Sequence, residues 1–323
     1  MEVREFADGC DIAQPLLVRD VELRPRRDGG EYLKVLLGDR SGSVPAVIWD
    51  EVQSARELCI PGQVVHATGR YCVHSRYGPQ LAIQAVRAAG EDEFAAEDLL
   101  DGPPRGADQM EADLRELLST VQSPHLRRLL GLVFGPSSPV WARYRDAPAA
   151  KHYDQAYRHG LLEHCLTVAQ AVSALSAIFP GIDRDVAVTG ALLHDIGKLE
   201  TYDLEGGAIS MSDRGRLHGE IPLGYYRVRR AIERLDGFPA DLEEAILHII
   251  LSHHGALEHG SPVVPCTREA TLVHMIDNLG GRLGSFDRIE KQLPTGEQWS
   301  TYDKALGGGA YFGARVEPER EAA

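Results

Sequence analysis

Two adjacent residues, His194 and Asp195, have side chains that can bind a metal ion. They offer one imidazole nitrogen and one carboxylate oxygen, a pair that suits first-row divalent metals better than it suits metals that prefer soft thiolates. A divalent metal held with open coordination positions can activate water near neutral pH and polarise a phosphoryl oxygen. The pair therefore predicts a metal-dependent hydrolase, and phosphate esters are the substrates that this chemistry favours.

Other candidate ligands precede and follow this pair along the chain. A single His-Asp pair is common, and a lone buried histidine is more often a hydrogen-bonded core residue than a ligand. Here, however, one region contributes His, His-Asp, His-His and Asp in succession, and this combination favours ligation. The candidate metal ligands are His164, His194, Asp195, His253, His254 and Asp277. Four histidines without such partners are expected to be ordinary surface or core residues: His152, His159, His248 and His259.

A lysine close to the pair is a candidate for the same chemistry. Lys198 lies four residues after His194 and three after Asp195, a spacing that places the three side chains on one face of a helix. Its ammonium group could neutralise phosphate charge, so Asp195 and Lys198 are the first candidate catalytic residues. The alternative is a solvated lysine that interacts with the C-terminus of its helix.

Composition indicates a globular protein that does not coat duplex nucleic acid. The chain has 323 residues, 43% of them apolar and 25% charged, so that one to three domains can each bury a core. Its formal net charge of −14 disfavours binding of duplex nucleic acid through bulk electrostatics. A nucleic-acid partner would have to be bound locally, by a groove and by metal ions.

Cysteine usage and the N-terminal sequence predict a cytoplasmic location. The five cysteines are an odd number without any Cys-x-x-Cys spacing, which is typical of reduced thiols and disfavours zinc bound by sulfur. The first residues lack the basic and then apolar order of a signal peptide, and no apolar run approaches membrane-spanning length.

Residues 1–90 show the pattern of a small β-barrel. Short runs rich in apolar and β-branched residues alternate with turn-prone segments rich in Gly, Pro, Asp and Ser. The predicted strands cover residues 15–21, 32–37, 44–49, 64–71 and 80–86. Five strands without a long helix predict an OB-like barrel, a fold that often binds single-stranded nucleic acid.

The rest of the chain has the period of α-helices. Residues 91–145 predict an acidic linker with connecting helices, residues 146–290 an all-α domain, and residues 291–323 a Gly-rich and then charged tail whose last residues are expected to be disordered. In the all-α domain, helices are expected at 160–179, 184–199, 219–235, 240–254 and 267–283. The predicted fold class is multidomain α and β, a five-stranded OB-like barrel followed by an all-α domain.

Aromatic residues of the barrel region are candidates for stacking on nucleobases. Proteins that bind single strands place such residues beside local positive charge. Tyr32, Arg76 and Tyr77 are the candidate nucleic-acid-binding residues on this basis. The alternative is that strand aromatics belong to the core, with Trp49 plugging the barrel.

Taken together, the motifs resemble those of a known family. A His…His-Asp…Asp tetrad is typical of HD-domain metal phosphohydrolases and corresponds here to His164, His194, Asp195 and Asp277. Over nearly its whole length, the chain is similar to the YhaM-type 3′→5′ exoribonuclease family. Besides the barrel and the acidic segment, the resemblance rests on Ala147-Pro148-Ala149-Ala150-Lys151, Gly160-Leu161-Leu162-Glu163-His164, Leu193-His194-Asp195-Ile196-Gly197-Lys198, Ile250-Leu251-Ser252-His253-His254-Gly255 and the segment from Trp299-Ser300-Thr301-Tyr302 to Leu306-Gly307.

One segment departs from the family pattern. The family usually has Gly-His between the His-Asp and His-His motifs, where that histidine serves a second metal ion. Here Glu220 follows Gly219 at this place, and a carboxylate can bind Mn²⁺ or Mg²⁺ at least as well as imidazole can. His218 is the rival, but a helix would place it on a different face; we expect it near the substrate, as a third catalytic candidate. A weakened or absent second site is the remaining alternative.

The resemblance implies a metal-dependent 3′→5′ exonuclease that acts on the 3′ ends of single-stranded RNA, with single-stranded DNA as a further substrate. It implies nucleoside 5′-monophosphates as products, one or two divalent ions with Mn²⁺ expected before Mg²⁺, Co²⁺ or Fe²⁺, and a homo-oligomer. Asp195 would bridge two ions, and the remaining ligands would divide between them. His164, His194 and Asp277 would complete the first site, and Glu220, His253 and His254 the second.

Two alternative functions remain open at this point. The first is a phosphohydrolase of nucleotides or cyclic dinucleotides, in which the barrel is a regulatory module. The second is a non-catalytic single-strand-binding protein with a structural or degenerate metal site.

Overall fold

The N-terminal part of the protein is a closed barrel of five strands. The structure is a computed structural model that describes residues 1–26, 29–74, 78–90, 92–99, 102–151, 155–205, 208–293 and 297–313. The strands are β1 (Asp11–Pro25), β2 (Glu31–Asp39), β3 (Gly42–Ile48), β4 (Val64–His74) and β5 (Gly78–Ala88). Their order around the barrel is β1-β2-β3-β5-β4, and β4 pairs with β1 to close it. The predicted five-stranded OB-like barrel is confirmed.

Alternating burial along the strands explains why these residues form a barrel. In β2, Leu33, Val35 and Leu37 are buried and point to one side, as a strand with one face in a core requires. They pack in a core that also contains Leu16 of β1 and Leu81 of β5. A short helix that periodicity did not indicate, α1 (Val52–Leu58), lies between β3 and β4.

The rest of the chain is mainly helical and has a hydrophobic core of its own. Its helices are α2 (Ala96–Leu99), α3 (Ala107–Ser119), α4 (Pro124–Phe134), α5 (Trp141–Asp146), α6 (Gly160–Ser176), α7 (Arg184–Leu193), α8 (Lys198–Thr201), α9 (Asp213–His218), α10 (Glu220–Ile232), α11 (Ala240–Ser252) and α12 (Arg268–Gln292). The connecting helices α3 to α5 contribute to the same core as α6, α7 and α11. Among the described residues, no helix combines the length and the apolar character needed to cross a membrane.

The central element of this core is α7. Every residue from Val186 to Leu193 is buried, and the helix packs against α6, α11 and α12. Helices α6 and α12 carry His164 and Asp277, and His253 and His254 directly follow α11, so the apolar helix holds these elements of the site together.

A small hairpin interrupts the helical part, in which only helices were expected. The strands β6 (Tyr202–Glu205) and β7 (Ala208–Met211) pair in antiparallel fashion, with Leu204 opposite Ile209. Each strand has only four residues, too few for an alternating pattern to be distinguished from a helical break. The buried side chain of Ile209 anchors the hairpin.

The segment after α12 is more structured than the predicted tail. Helix α12 continues to Gln292 instead of ending near residue 283. Beyond it, Trp299 forms an isolated bridge with Tyr311, and the Asp303 carboxylate accepts a hydrogen bond from Arg288 at 2.7 Å. The predicted disorder at the end of the chain falls on residues 314–323, which lie outside the described residues.

Candidate metal centre

Helices α6 and α12 and the turn after α7 bring four candidate ligands to one point. His164 Nε2 lies 3.2 Å from Asp195 Oδ2, 3.1 Å from Asp277 Oδ1 and 3.2 Å from His194 Nε2. His194 Nε2 is 3.8 Å from Asp277 Oδ1. Ligand atoms of His164, His194 and Asp277 all lie within 4.8 Å of one another, close enough to share a single ion.

The turn that presents His194 and Asp195 depends on a glycine. The expected helix 184–199 is wrong at its end, because α7 stops at Leu193 and the chain turns, with Lys198 N–H donating to Asp195 O at 2.9 Å. Gly197 then packs against the first turn of α10. A Cβ at Gly197 would collide with the carbonyl of Glu220 and lie 2.6 Å from Gly224 N, so that only glycine lets α10 approach.

Lys198 is paired with the candidate ligands and is not a solvated cap. Its Nζ lies 2.6 Å from Asp195 Oδ2, and its side chain is only 15% exposed. The residue starts α8 after the turn instead of ending the preceding helix. Burial disfavours its charged form, but Asp195 outweighs burial and raises the pKa of Lys198.

A second group of candidate ligands lies on the other side of Asp195. His253 Nε2 is 3.5 Å from Asp195 Oδ1, and His254 Nε2 is 3.7 Å from Glu220 Oε1. Asp195 therefore faces His164 with one oxygen and His253 with the other, an arrangement suited to a carboxylate shared between two ions. Glu220 lies beside this group, as its sequence position predicted, and its role as a ligand stays a prediction.

His218 lies apart from these contacts. It is the exposed last residue of α9, and Gly219, with a φ of 74°, separates it from Glu220 at the start of α10. The expectation that one helix would hold His218 and Glu220 on different faces was wrong. The chain changes direction at Gly219, so that the two residues belong to different helices. Among the described residues, no hydrogen bond or ion pair joins His218 to a candidate ligand.

Burial and charge set the protonation of the cluster. Burial lowers the pKa of His194 to about 4. It acts in the same direction on His164, but hydrogen bonds to Asp195 and Asp277 outweigh it and raise the pKa of His164 to about 9. Burial opposes the charged forms of both carboxylates as well. Even so, Lys198 and His164 hold the pKa values of Asp195 and Asp277, respectively, below their usual range.

The residues present fit a divalent metal. Asp195 Oδ1 and His253 Nε2 are buried, and neither has a hydrogen-bond partner among the described residues. Buried polar atoms are rarely left without partners, and two facing lone-pair donors are what a cation would satisfy. Nitrogen and carboxylate oxygen donors without sulfur suit Mn²⁺, Mg²⁺, Fe²⁺ or Co²⁺. A bound ion would also take over the charge compensation that Lys198 and His164 now provide.

The candidate barrel residues are only partly within the described structure. Tyr32 stacks on Trp49 with ring centroids 4.6 Å apart, and the Arg26 guanidinium lies 5.0 Å from the Trp49 ring. Trp49 is 43% exposed, so the alternative that it plugs the barrel was wrong. Arg76 and Tyr77 lie outside the described residues.

Sequence reasoning missed Gln155, a described residue in contact with the cluster. Gln155 Oε1 lies 3.0 Å from His164 Nδ1. No sequence signal pointed to Gln155, because it lies in a loop without periodicity, nine residues before the histidine.

Comparison with known proteins shows two similarities that bear on this geometry. Residues 161–281, which contain the tetrad, match the model of the HD domain family. Over most of its length the chain is also similar to proteins named 3′-5′ exoribonuclease YhaM, so the predicted resemblance is confirmed. It is 29% identical over 285 residues to the one from Geobacillus sp. (strain WCH70), covering 87% of this chain and 86% of that protein. It is 29% identical over 293 residues to the one from Bacillus subtilis (strain 168), covering 90% of each.

Among solved structures, the barrel region is similar to the second OB-fold domain of replication protein A from Methanococcus maripaludis. The two are 16% identical with a TM-score of 0.23, over 28% of this chain and 95% of that one. The closed strand order, and not this likeness, defines the barrel.

Proposed function

We propose that the protein is a metal-dependent 3′→5′ exonuclease that shortens single-stranded RNA and releases nucleoside 5′-monophosphates. The observation that carries the proposal is the meeting of His164, His194, Asp195 and Asp277 at one buried point of the HD domain. The name shared by the YhaM relatives supports both the direction of shortening and the RNA substrate.

The ligands divide into two groups that share Asp195. His164, His194 and Asp277 would hold one divalent ion with it, and Glu220, His253 and His254 a second. Mn²⁺ is the ion that we propose, on the basis of the mixed nitrogen and oxygen donors. When bound, such an ion supplies Lewis acidity, which lowers the pKa of water and polarises a phosphoryl oxygen.

The protein's own side chains supply charge and position. The Lys198 ammonium group, 2.6 Å from Asp195, places a fixed positive charge where a phosphate would approach the carboxylates. His218 is exposed two residues before Glu220, and we propose that it contacts the substrate instead of an ion.

The barrel would grip the upstream nucleotides. Because the net charge of −14 repels a polyanion, binding has to come from local features such as the stack of Tyr32, Trp49 and Arg26. Aromatic platforms of this kind contribute about 1–3 kcal/mol per stacked base. Arg76 and Tyr77 belong to the same proposal.

The test uses single-stranded RNA labelled at its 5′ end and incubated with the protein and Mn²⁺. Wild type should produce a ladder shortened from the 3′ end, a chelator should stop it, and Asp195→Asn should abolish it. Asp203→Asn, which removes an exposed carboxylate on β6, is the matched control and should act like wild type. Intact RNA with wild type, or equal shortening by Asp195→Asn, would contradict the proposal.

Two further measurements separate the alternative functions. Faster turnover of free nucleotides or cyclic dinucleotides than of oligonucleotides would favour a small-molecule phosphohydrolase. Retained oligonucleotide binding by a protein that binds no Mn²⁺ would favour a single-strand-binding protein.

We further propose a cytoplasmic homo-oligomer. All five cysteines are free, which supports a reducing compartment. Met275, Leu279 and Leu283 follow one another at intervals of four along α12, and each is at least half exposed, which supports a contact between copies. Sedimentation analysis of wild type and of Leu279→Lys would test this contact, since the lysine should weaken the assembly.

A further inference from the structure

The histidines of the site are oriented by hydrogen bonds on the far side of their rings. His194 Nδ1 donates to Ala191 O at 2.6 Å, His253 Nδ1 to Ile250 O at 2.8 Å, and His254 Nδ1 to His259 O at 2.9 Å. A carbonyl oxygen can only accept, so these three Nδ1 atoms carry the proton. Each Nε2 atom is thereby left with a lone pair for an ion.

Helix ends supply two of these carbonyl groups. His194 and His253 follow directly after α7 and α11, where the last carbonyls of a helix have no partner within it. Ala191 and Ile250 lie in these last turns, and their carbonyl oxygens accept hydrogen bonds from the Nδ1–H groups of the two histidines.

His164 has no such helix-end carbonyl group to which its Nδ1 could donate. It lies in the second turn of α6, where carbonyl groups accept hydrogen bonds from amides four residues later in the helix. Its Nδ1 instead faces a side chain, with Gln155 Oε1 at 3.0 Å. Among the described site histidines, it alone depends on a side-chain acceptor.

The backbone of Gln155 is held firmly in place. Its φ of 59° lies in the left-handed region, which a residue with a Cβ adopts only when the surroundings impose it. Its carbonyl accepts a hydrogen bond from Ala149 N–H at 3.1 Å and packs against Gly160, where a Cβ would collide with it. The loop is thereby fixed to the start of the helix that carries His164.

We propose that Gln155 is a positioning residue for the metal centre. Its amide oxygen accepts the His164 Nδ1 proton, which leaves Nε2, beside Asp195 and Asp277, as the ring nitrogen that would bind an ion. Partners of this kind behind metal-binding histidines fix the tautomer and the ring orientation, and their loss typically weakens metal binding about 10- to 100-fold. The inference rests on the proposed metal centre and adds to it a residue that touches no ion.

The test is calorimetric titration of metal-free protein with Mn²⁺. Gln155→Met keeps the length of the side chain but has no acceptor, and it should bind Mn²⁺ about 10- to 100-fold more weakly than wild type. Gln155→Glu can only accept, and it should bind at least as tightly as wild type. Gln122→Met, the same exchange at an exposed glutamine, is the matched control and should not differ from wild type.

The outcomes separate this inference from the function on which it rests. Wild-type affinity in Gln155→Met, or a loss in Gln155→Glu equal to that in Gln155→Met, would overturn the role of Gln155 and leave the metal centre intact. No Mn²⁺ binding by wild type would overturn both. If Gln155→Met lacks a thermal unfolding transition, Gln155→Asn takes its place, since its shorter side chain should also lose the contact and the affinity.

Discussion

Among single residues, Lys198 supplies the positive charge that most strongly stabilises the Asp195 carboxylate. Its Nζ lies 2.6 Å from the buried carboxylate of Asp195, and its own side chain is largely covered, so the two charges depend on each other. Removing one partner of such a pair is costly, because the remaining charge stays in a medium that solvates it poorly.

We therefore expect Lys198→Met to destabilise the metal-free protein by about 3 kcal/mol, the lower end of what breaking a buried pair costs, since His164 also faces Asp195. Mn²⁺ should recover much of this loss, because it replaces the missing positive charge. Urea unfolding with and without Mn²⁺ measures both effects. Lys304→Met, at an exposed site, should change stability by less than about 0.5 kcal/mol, and an equal loss in both variants would refute the buried pairing.

The sequence allowed a residue's role to be predicted where the type of its side chain alone determines that role. His164, His194, Asp195 and Asp277 were predicted as a set because imidazole and carboxylate groups are the donors for such metals. Gln155 was not, since its role depends on a loop conformation and on which end of the amide faces the ring. Neither is encoded in local spacing.

At the level of elements, helix α12 combines a candidate metal ligand with two exposed glycines. Gly280 and Gly281 follow Asp277 within the helix, and a Cβ at either position would meet nothing within 4 Å. Gly280→Ala and Gly281→Ala should therefore each stabilise the protein, by about 0.5–1 kcal/mol, because alanine restricts the unfolded chain without a clash in the helix. Urea unfolding at equilibrium measures the change, and a loss of stability in both variants would show that this face is covered.

The same substitution should have the opposite effect at Gly197. There a Cβ would collide with Glu220 O and lie 2.6 Å from Gly224 N, and both groups belong to the backbone of α10, which cannot yield cheaply. Overpacking of this kind typically costs about 1–3 kcal/mol. Gly197→Ala should thus unfold at a lower urea concentration than wild type, and it should bind Mn²⁺ more weakly because Glu220 is displaced. Unchanged stability would mean that the backbone of α10 lies farther from Gly197 than it does in this structure.

Element boundaries show why periodicity succeeded for the long helices and failed between them. The apolar patterns of α6, α7 and α11 belong to helices of at least ten residues, so local pattern located them. The turn at His194 and the hairpin of β6 and β7 are shorter than one repeat. The turn is fixed by packing against α10, and the hairpin contacts β1 of the barrel; both are distant contacts along the chain.

On the scale of the whole molecule, the described residues form two hydrophobic cores with no residue in common. The barrel core draws on residues between Val3 and Ile83, and the helical core on residues between Met110 and Val273. The number of strands and the change from β to α could be read from the sequence, because each depends on local alternation. The strand order that closes the barrel could not, since it depends on pairings such as β3 with β5 across the intervening β4.

This division predicts how a barrel variant should affect the reaction. Trp49 stacks with Tyr32 on the barrel, whose core shares no residue with the helical core, so that Trp49→Ala should weaken the proposed binding of RNA without disturbing Asp195. The loss of one stacked base, about 1–3 kcal/mol, corresponds to a rise in KM of about 5- to 150-fold for a long single strand. The rise should shrink for a dinucleotide, because the barrel is proposed to bind nucleotides further upstream of the 3′ end, while Mn²⁺ affinity should match that of wild type. Steady-state kinetics on RNAs of graded length measures this dependence.

A fall in kcat that is the same for every RNA length would instead mean that Trp49 contributes to the chemical step or to folding. A KM unchanged at all lengths would mean that the stack of Trp49 and Tyr32 does not contact the RNA.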